Sequence, residues 1–209
     1  AHPNSTAQSL DAKNYAINAS VKALESYLDD KGIDGAVKVT KFNKFQIQYK
    51  MASTPLVSLI IPTRNGFHLL KQAIDSIITL TDYPKYEIIV VDNGSDQDDI
   101  KKYLEHIAKD KNIKVIRDDS PYNYAQLNNR AIKHADGEII GLINNDIEVI
   151  SSSWLTEMVS YAVQPEIGAV GAKLLYPNKS LQHGGVITGI GGVAGHSHKH
   201  LGYGDPGYF

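Results

Sequence analysis

Three short polar stretches hold the residue types that could do chemistry: Pro62-Thr63-Arg64-Asn65-Gly66, Asp92-Asn93-Gly94-Ser95 and Asn144-Asn145-Asp146. Each follows directly on an apolar run. Asp92 could accept a hydrogen bond from a base N–H or a ribose hydroxyl, or it could cap the turn that its Asn-Gly neighbours form. Asp146, a carboxylate beside amide oxygens, offers a hard oxygen-only ligand set suited to Mg²⁺ or Mn²⁺ shared with substrate phosphates. An Asx turn closing the strand is its other reading. His183, His196, His198 and His200 form a further group. The last three would share one face of an extended segment and could ligate a transition metal, whereas in a glycine-rich loop they would be solvated.

The polar stretches need elements that bring them together. Apolar runs 57–62, 87–92, 113–116 and 138–143 start about 25 to 30 residues apart. Helical patterns over 67–80, after the second run through about 109, and over about 124–135 separate them, which is the beat of successive βαβ units. Continuous β-branched runs are what parallel strands buried on both faces look like, so the expected fold is a doubly wound α/β sheet. In such a sheet ligands bind outside the carboxyl ends of the strands, where all three polar stretches lie. A further helix is expected over 154–163 and a further strand over 167–175, followed by a loop-like Gly- and His-rich tail over 184–207.

Ahead of the sheet, the first nine residues are small and polar and read as an untethered terminus. Ile17, Val21, Leu24 and Leu28 recur at helical spacing within 10–28, with Gly32 as the stop. Val37 and Val39, then Phe45, Ile47 and Tyr49, alternate with polar residues around Asn43-Lys44 and predict a hairpin. The division is therefore a helix-plus-hairpin appendage and linker over 1–54 and the sheet domain over 55–209.

Composition narrows the function. The 209 residues carry 21 Lys+Arg against 23 Asp+Glu, a formal charge of −2, which excludes a nucleic-acid binder driven by bulk positive charge. With no cysteine, disulfides, Cys-ligated zinc and thiol catalysis are excluded. No signal-like start and no apolar stretch of about 18 residues is present, so a cytoplasmic protein is expected. Neither a G-x-x-x-x-G-K-[ST] nor a strand-to-helix G-x-G-x-x-G occurs, and Gly189-Ile190-Gly191-Gly192 lacks the spacing. A bound diphosphate would have to be neutralised by a metal, which points back to Asp146.

The segment from Pro55 to about His200 resembles the nucleotide-sugar-dependent family 2 glycosyltransferases with a GT-A fold, especially bacterial enzymes of O-antigen and other surface polysaccharides. The matching text is PLVSLIIPTRNG (55–66), YEIIVVDNGSDQ (86–97), LNNRAIKHADGEIIGLINNDIEV (127–149), WLTEMV (154–159) and IGAVGAKLLYPN with LQHGGV (167–186). The resemblance implies that Pro62, Thr63 and Asn65 hold the nucleoside and that Asp92 or Asn93 contacts the base. It places Asn129 near the sugar or diphosphate, although Asn128 stands where relatives often have arginine. Asn144-Asn145-Asp146 matches a DXD-type element, with Asn145 facing ribose and sugar and Asp146 binding Mn²⁺ or Mg²⁺.

The implied reaction is an inverting transfer from a nucleotide diphosphate sugar to a saccharide or lipid-linked saccharide acceptor. The full-length polypeptide would be cytoplasmic, with peripheral association at the inner face of the membrane. The family's general base lies in a segment after the matched region; Asp205 fits it poorly, so the base is expected beyond Phe209 and the chain is read as a fragment. Two alternatives remain: a non-catalytic nucleotide- or glycan-binding module of a larger synthase, and a sugar-phosphate nucleotidyltransferase. The second would need a glycine-rich Arg/Lys signature that 62–66 does not supply.

Overall fold

The computed structural model describes residues 14–40 and 43–205. The expected untethered terminus, the helix start at 10–13 and the end of the tail at 206–207 lie outside the described residues. The chain divides into two compact units, one of Ala52–Val159 and one of Ala1–Met51 with Ser160–Phe209.

The first unit is built on four parallel strands: β3 (Val57–Thr63), β4 (Tyr86–Asp92), β5 (Ile113–Arg117) and β6 (Ile139–Leu142). Their order in the sheet is β5-β4-β3-β6. The connections carry α2 (Phe67–Leu80), α3 (Asp98–Ile107) and α4 (Tyr124–Ala131, with a 3₁₀ turn at Ile132–His134). The chain moves outward from β3 to β4 and β5, then returns to the other side of β3. That reversal makes the sheet doubly wound, as expected, and puts its switch point between β3 and β6.

Burial follows from the order. Every residue of β3 except Pro62 and every residue of β4 except Tyr86 is buried, while the edge strands β5 and β6 are mostly half-buried. The central strands have neighbours on both edges and helices over their faces, so no polar side of the alternation is needed. Ile60, Ile89 and Val91 pack against Leu127 and Ala131 of α4. Leu70, Ala73, Ile74 and Ile77 are the buried stripe of α2.

Pro62 would break the ladder of an ordinary central strand. Here the Ile60 carbonyl accepts from the Ile143 N–H at 2.9 Å, so the even-numbered residues of β3 turn their backbone groups towards β6. The strand pairing of β6 with β3 stops at Leu142↔Ile60, whereas β4 stays paired with β3 as far as Thr63↔Asp92. The missing Pro62 N–H therefore faces a gap where β6 has already left.

A buried polar network ties the other end of the sheet. Ser58 Oγ donates to Glu87 Oε1 at 2.6 Å, the Asp136 N–H donates to the same oxygen at 2.8 Å, and Lys114 Nζ reaches Glu87 Oε2 at 2.7 Å. The Gly137 N–H donates to Ser58 Oγ at 2.9 Å. A Cβ on Gly137 would lie 2.6 Å from the Ser58 nitrogen, so only glycine fits the turn into β6.

In the second unit, α1 (Asn14–Lys31) precedes the antiparallel pair β1 (Gly35–Val39) and β2 (Phe45–Tyr49). Leu28 is buried and Ile17, Val21 and Leu24 are half-buried, which is the apolar stripe read from the sequence. The helix ends at left-handed Gly32, with the Ile33 N–H bonded to the Leu28 carbonyl at 2.9 Å. Helix α5 (Trp154–Ala162) matches expectation.

The strand expected over 167–175 does not form along that length. Only Leu174–Leu175 (β7) pairs, with Leu181–His183 (β8). Gly168, Ala169, Gly171 and Ala172 leave little side chain to pack on a sheet face. The tail, expected as loop, contains the short pair β9 (Val186–Thr188) and β10 (Ala194–His196). Among the described residues no helix is long and apolar enough to cross a membrane.

Burial pushes the Glu87 carboxyl up, but the hydrogen bonds from Lys114, Ser58 and Asp136 outweigh it and hold the group below the usual glutamate range. A carboxylate with a depressed folded value stabilises above its unfolded pKa of about 4.3, and that contribution disappears as pH falls through the folded value. Glu87→Ala should lower unfolding stability by about 2 kcal/mol at pH 7, because it strands several donors. In urea titrations the gap between wild type and Glu87→Gln should narrow below about pH 4. A gap independent of pH would contradict this account.

Candidate functional site

The divergence of β3 and β6 opens a crevice at the carboxyl edge of the sheet, and the loops after β3, β4 and β6 meet there. Thr63 is buried at the last position of β3, and its Oγ1 accepts a hydrogen bond from Asn145 Nδ2 at 3.0 Å. That bond spans 82 residues of sequence and joins the tips of the two strands that flank the switch point. Thr63 Oγ1 also donates to the Asn65 carbonyl at 3.3 Å, and the Thr63 carbonyl accepts from the Asn93 N–H at 2.8 Å. Thr63 is thus tied to all three loops.

Asn65 and Gly66 take left-handed backbone conformations, with φ of 55° and 67°. Asparagine and glycine are the residues that tolerate this. The turn sends Asn65 towards the β4 loop. Its N–H donates to Ser95 Oγ at 2.7 Å, its Nδ2 to Asp96 Oδ1 at 3.0 Å, and its Oδ1 accepts from the Asp96 N–H at 3.1 Å. Oδ1 also accepts from the Gln97 N–H at 3.3 Å, so Asn65 covers free donors at the start of α3.

Asp92 is buried with both oxygens engaged. Oδ1 accepts from the Ser95 N–H at 3.0 Å and Oδ2 pairs with Arg117 Nη1 at 2.7 Å. Asn93, 3% exposed, donates from Nδ2 to the carbonyls of Asp118 and Ser120, both at 2.8 Å. Its Oδ1 is buried without a hydrogen-bond partner, as is Asn128 Oδ1 on α4. Native structures seldom leave such acceptors unpaired. Asn129 is exposed on α4, Asn145 half-buried and Asp146 exposed.

Reading from sequence missed the arginines. Arg117 ends β5 and bridges Asp92, the Ser95 carbonyl at 2.9 Å and Asp119 at 2.7 Å. The hydrogen bonds it donates to Asp92 and then to Asp119 raise its pKa further. Arg130 forks onto both oxygens of Asp118 at 3.0 and 2.8 Å. Hydrogen bonds from Ser120 and Arg130 hold the Asp118 carboxyl down at about 2. The polar Arg117-Asp118-Asp119 at the end of the third apolar run is the same signal that marks the other strand ends, and it would have found this cluster.

The donor chemistry for a metal is narrow. Among the described residues no group of three or more His, Asp and Glu side chains converges. Asp146 supplies a single carboxylate, and the Asn145 amide nitrogen is held by Thr63. One hard oxygen ligand fits Mg²⁺ or Mn²⁺ of the kind that completes its shell with water and substrate phosphates, and does not form an all-protein cage.

Comparison with known proteins agrees with this architecture. The chain is 44% identical over 212 residues to the uncharacterised protein y4gI of Sinorhizobium fredii, covering 97% of this chain and 23% of that protein. It is 39% identical over 181 residues to the O-antigen biosynthesis protein RfbC of Myxococcus xanthus, covering 87% of this chain and 14% of that one. The chain thus spans less than a quarter of either relative. Among solved structures, the mannosyltransferase PcManGT of Pyrobaculum calidifontis, in complex with GDP-Man and Mn²⁺, superposes with a TM-score of 0.53 at 25% identity. The match covers 81% of this chain and 48% of that enzyme, and it identifies the doubly wound sheet as a GT-A fold. The model of glycosyl transferase family 2 matches residues 58–189, more than half of the chain, and the chain belongs to that family.

Proposed function

We propose that this chain is the donor-binding part of a glycosyltransferase that moves a sugar from a nucleotide diphosphate sugar to a saccharide or lipid-linked saccharide acceptor in cell-surface polysaccharide synthesis. The observation that carries the reading is the Thr63–Asn145 hydrogen bond across the switch-point crevice in a family 2 chain. RfbC acts in O-antigen biosynthesis by name, and PcManGT was solved with a nucleotide sugar and Mn²⁺, which supports the substrate class. The setting that fits is the cytoplasm, at the inner face of the membrane when the acceptor is lipid-linked.

In this reading the nucleoside lies against Pro62, Thr63 and Asn65 at the end of β3. The base lies against the end of β4 at Asp92 and Asn93, where Asp92 is fixed by Ser95 and Arg117 and Asn93 by the carbonyls of Asp118 and Ser120. Asn145, oriented by Thr63, faces the ribose and sugar, and Asn129 lies towards the diphosphate. Asp146 would hold Mn²⁺ or Mg²⁺. A divalent ion there supplies Lewis-acid stabilisation of charge on the departing diphosphate.

The acceptor hydroxyl oxygen forms the new bond to the anomeric carbon as the bond to the diphosphate breaks. The bonding pair leaves with the nucleotide, the hydroxyl proton goes to a general base, and attack from the opposite face inverts the centre. No residue described in this chain is assigned as that base.

Asp146→Ala should weaken Mn²⁺-dependent binding of a nucleotide sugar at least tenfold by calorimetry, with the circular dichroism of the fold retained. UDP-, GDP-, CMP- and dTDP-sugars form the panel, and unchanged affinity across it would remove Asp146 from the site. Thr63→Val deletes the hydrogen bond that orients Asn145, worth about 1 kcal/mol, together with the longer one to the Asn65 carbonyl, so nucleotide-sugar affinity should fall at least about fivefold. An unaltered affinity would show that the orientation of Asn145 does not matter to binding.

A further inference from the structure

The histidines left out of the donor site contain a second constellation. His183, at the end of β8, and His196, at the end of β10, direct their Nδ1 atoms at each other across 3.0 Å. Their rings are nearly perpendicular, at 85°, with centroids 5.2 Å apart. The strands that present them belong to different two-stranded sheets. His198 and His200 do not join the pair. His200 stacks on Tyr176 with centroids 5.2 Å apart, and His198 Nδ1 is close to the Ser197 hydroxyl.

We propose that the His183–His196 pair binds a divalent transition-metal ion of the zinc or nickel type through its two Nδ1 atoms, a site separate in ligand chemistry from the oxygen-ligated Asp146. The two Nδ1 atoms share one proton in the metal-free contact, and its release would leave both lone pairs for such an ion. With metal–nitrogen bonds of about 2.0 to 2.1 Å, a separation of 3.0 Å corresponds to a ligand–metal–ligand angle of about 95°. That angle lies between adjacent octahedral positions and the tetrahedral value. Neutral imidazole is a ligand for Zn²⁺ and Ni²⁺, whereas Mg²⁺ and Mn²⁺ favour oxygen. His196 is exposed and His183 half-exposed, and Gly184, Gly185 and Gly195 flank them, so water can reach the remaining coordination positions.

The surroundings also explain why a tie is useful here. Strands β7 to β10 have two or three residues each, and isolated two-stranded ribbons of that length are marginal in water. A metal bridging β8 and β10 couples the two ribbons, and binding energy available only to the folded arrangement stabilises it.

The test is a Zn²⁺ titration of the full chain followed by imidazole ¹⁵N NMR, on wild type, His183→Gln and His196→Gln. Glutamine keeps a polar side chain of similar reach while ligating weakly, and His134→Ala serves as the surface control. The expected result is a joint shift of both Nδ1 resonances in wild type and in the control. In each glutamine variant the midpoint of the remaining partner should rise at least tenfold. Nδ1 resonances unmoved by millimolar Zn²⁺, or a remaining histidine that titrates within tenfold of wild type, would overturn the site and leave the pair a shared-proton contact. Neither result bears on nucleotide-sugar binding at Asp146, which is read separately with Mn²⁺.

Discussion

The candidate site depends on the early parting of two neighbouring strands. β6 leaves β3 after Leu142↔Ile60, while β4 follows β3 to its end. The resulting gap is where Pro62 can sit without an N–H and where the loops after β3 and β6 face one another. A parallel sheet without a reversal of strand order would have a connection packed over that edge; the return of the chain to the far side of β3 leaves it open. Thr63 holds the gap at a definite width through the Asn145 amide, and through its carbonyl it fastens the β4 loop as well.

Around this point the polar residues divide into those that build the loops and those that face outward. Asn65, Asp92, Ser95 and Arg117 bond to one another and to backbone groups, so the rim is assembled before any ligand arrives. Asp146 is exposed, whereas Asn93 is buried and keeps one acceptor without a hydrogen-bond partner. In the proposed reading, preorganisation of this kind would let weakly charged loops meet a diphosphate without a glycine-rich cradle, provided that a cation shares the charge. At the opposite end of the sheet the Glu87 network performs a purely structural task, pinning the turn into β6 so that its carboxyl end reaches the crevice in register.

Much of this was legible from residue order. The four β-branched runs became strands at or within one residue of the expected positions, and α2 occupies the span read from its apolar periodicity. Such elements are visible because burial on both faces of a strand, or one stripe of a helix, imposes a composition that no loop shares. The segment over 167–175 misled for the converse reason: its small apolar residues imitate a strand, but glycine and alanine bring too little surface to hold a place in a sheet. The short β9–β10 pair was hidden because three-residue strands leave no period to detect.

What the sequence by itself determined is the set of elements, their alternation, and the polar residues at the strand ends, since each is a local consequence of hydrophobic pattern and turn chemistry. Only the tertiary structure decided which of those residues are free to act. Arg117 reaches Asp92 from a strand 25 residues away, Asn145 reaches Thr63 across 82, and the two Nδ1 atoms of His183 and His196 meet across 13. Register and strand order set those encounters, and both arise from packing the whole sheet, which no local window of residues contains.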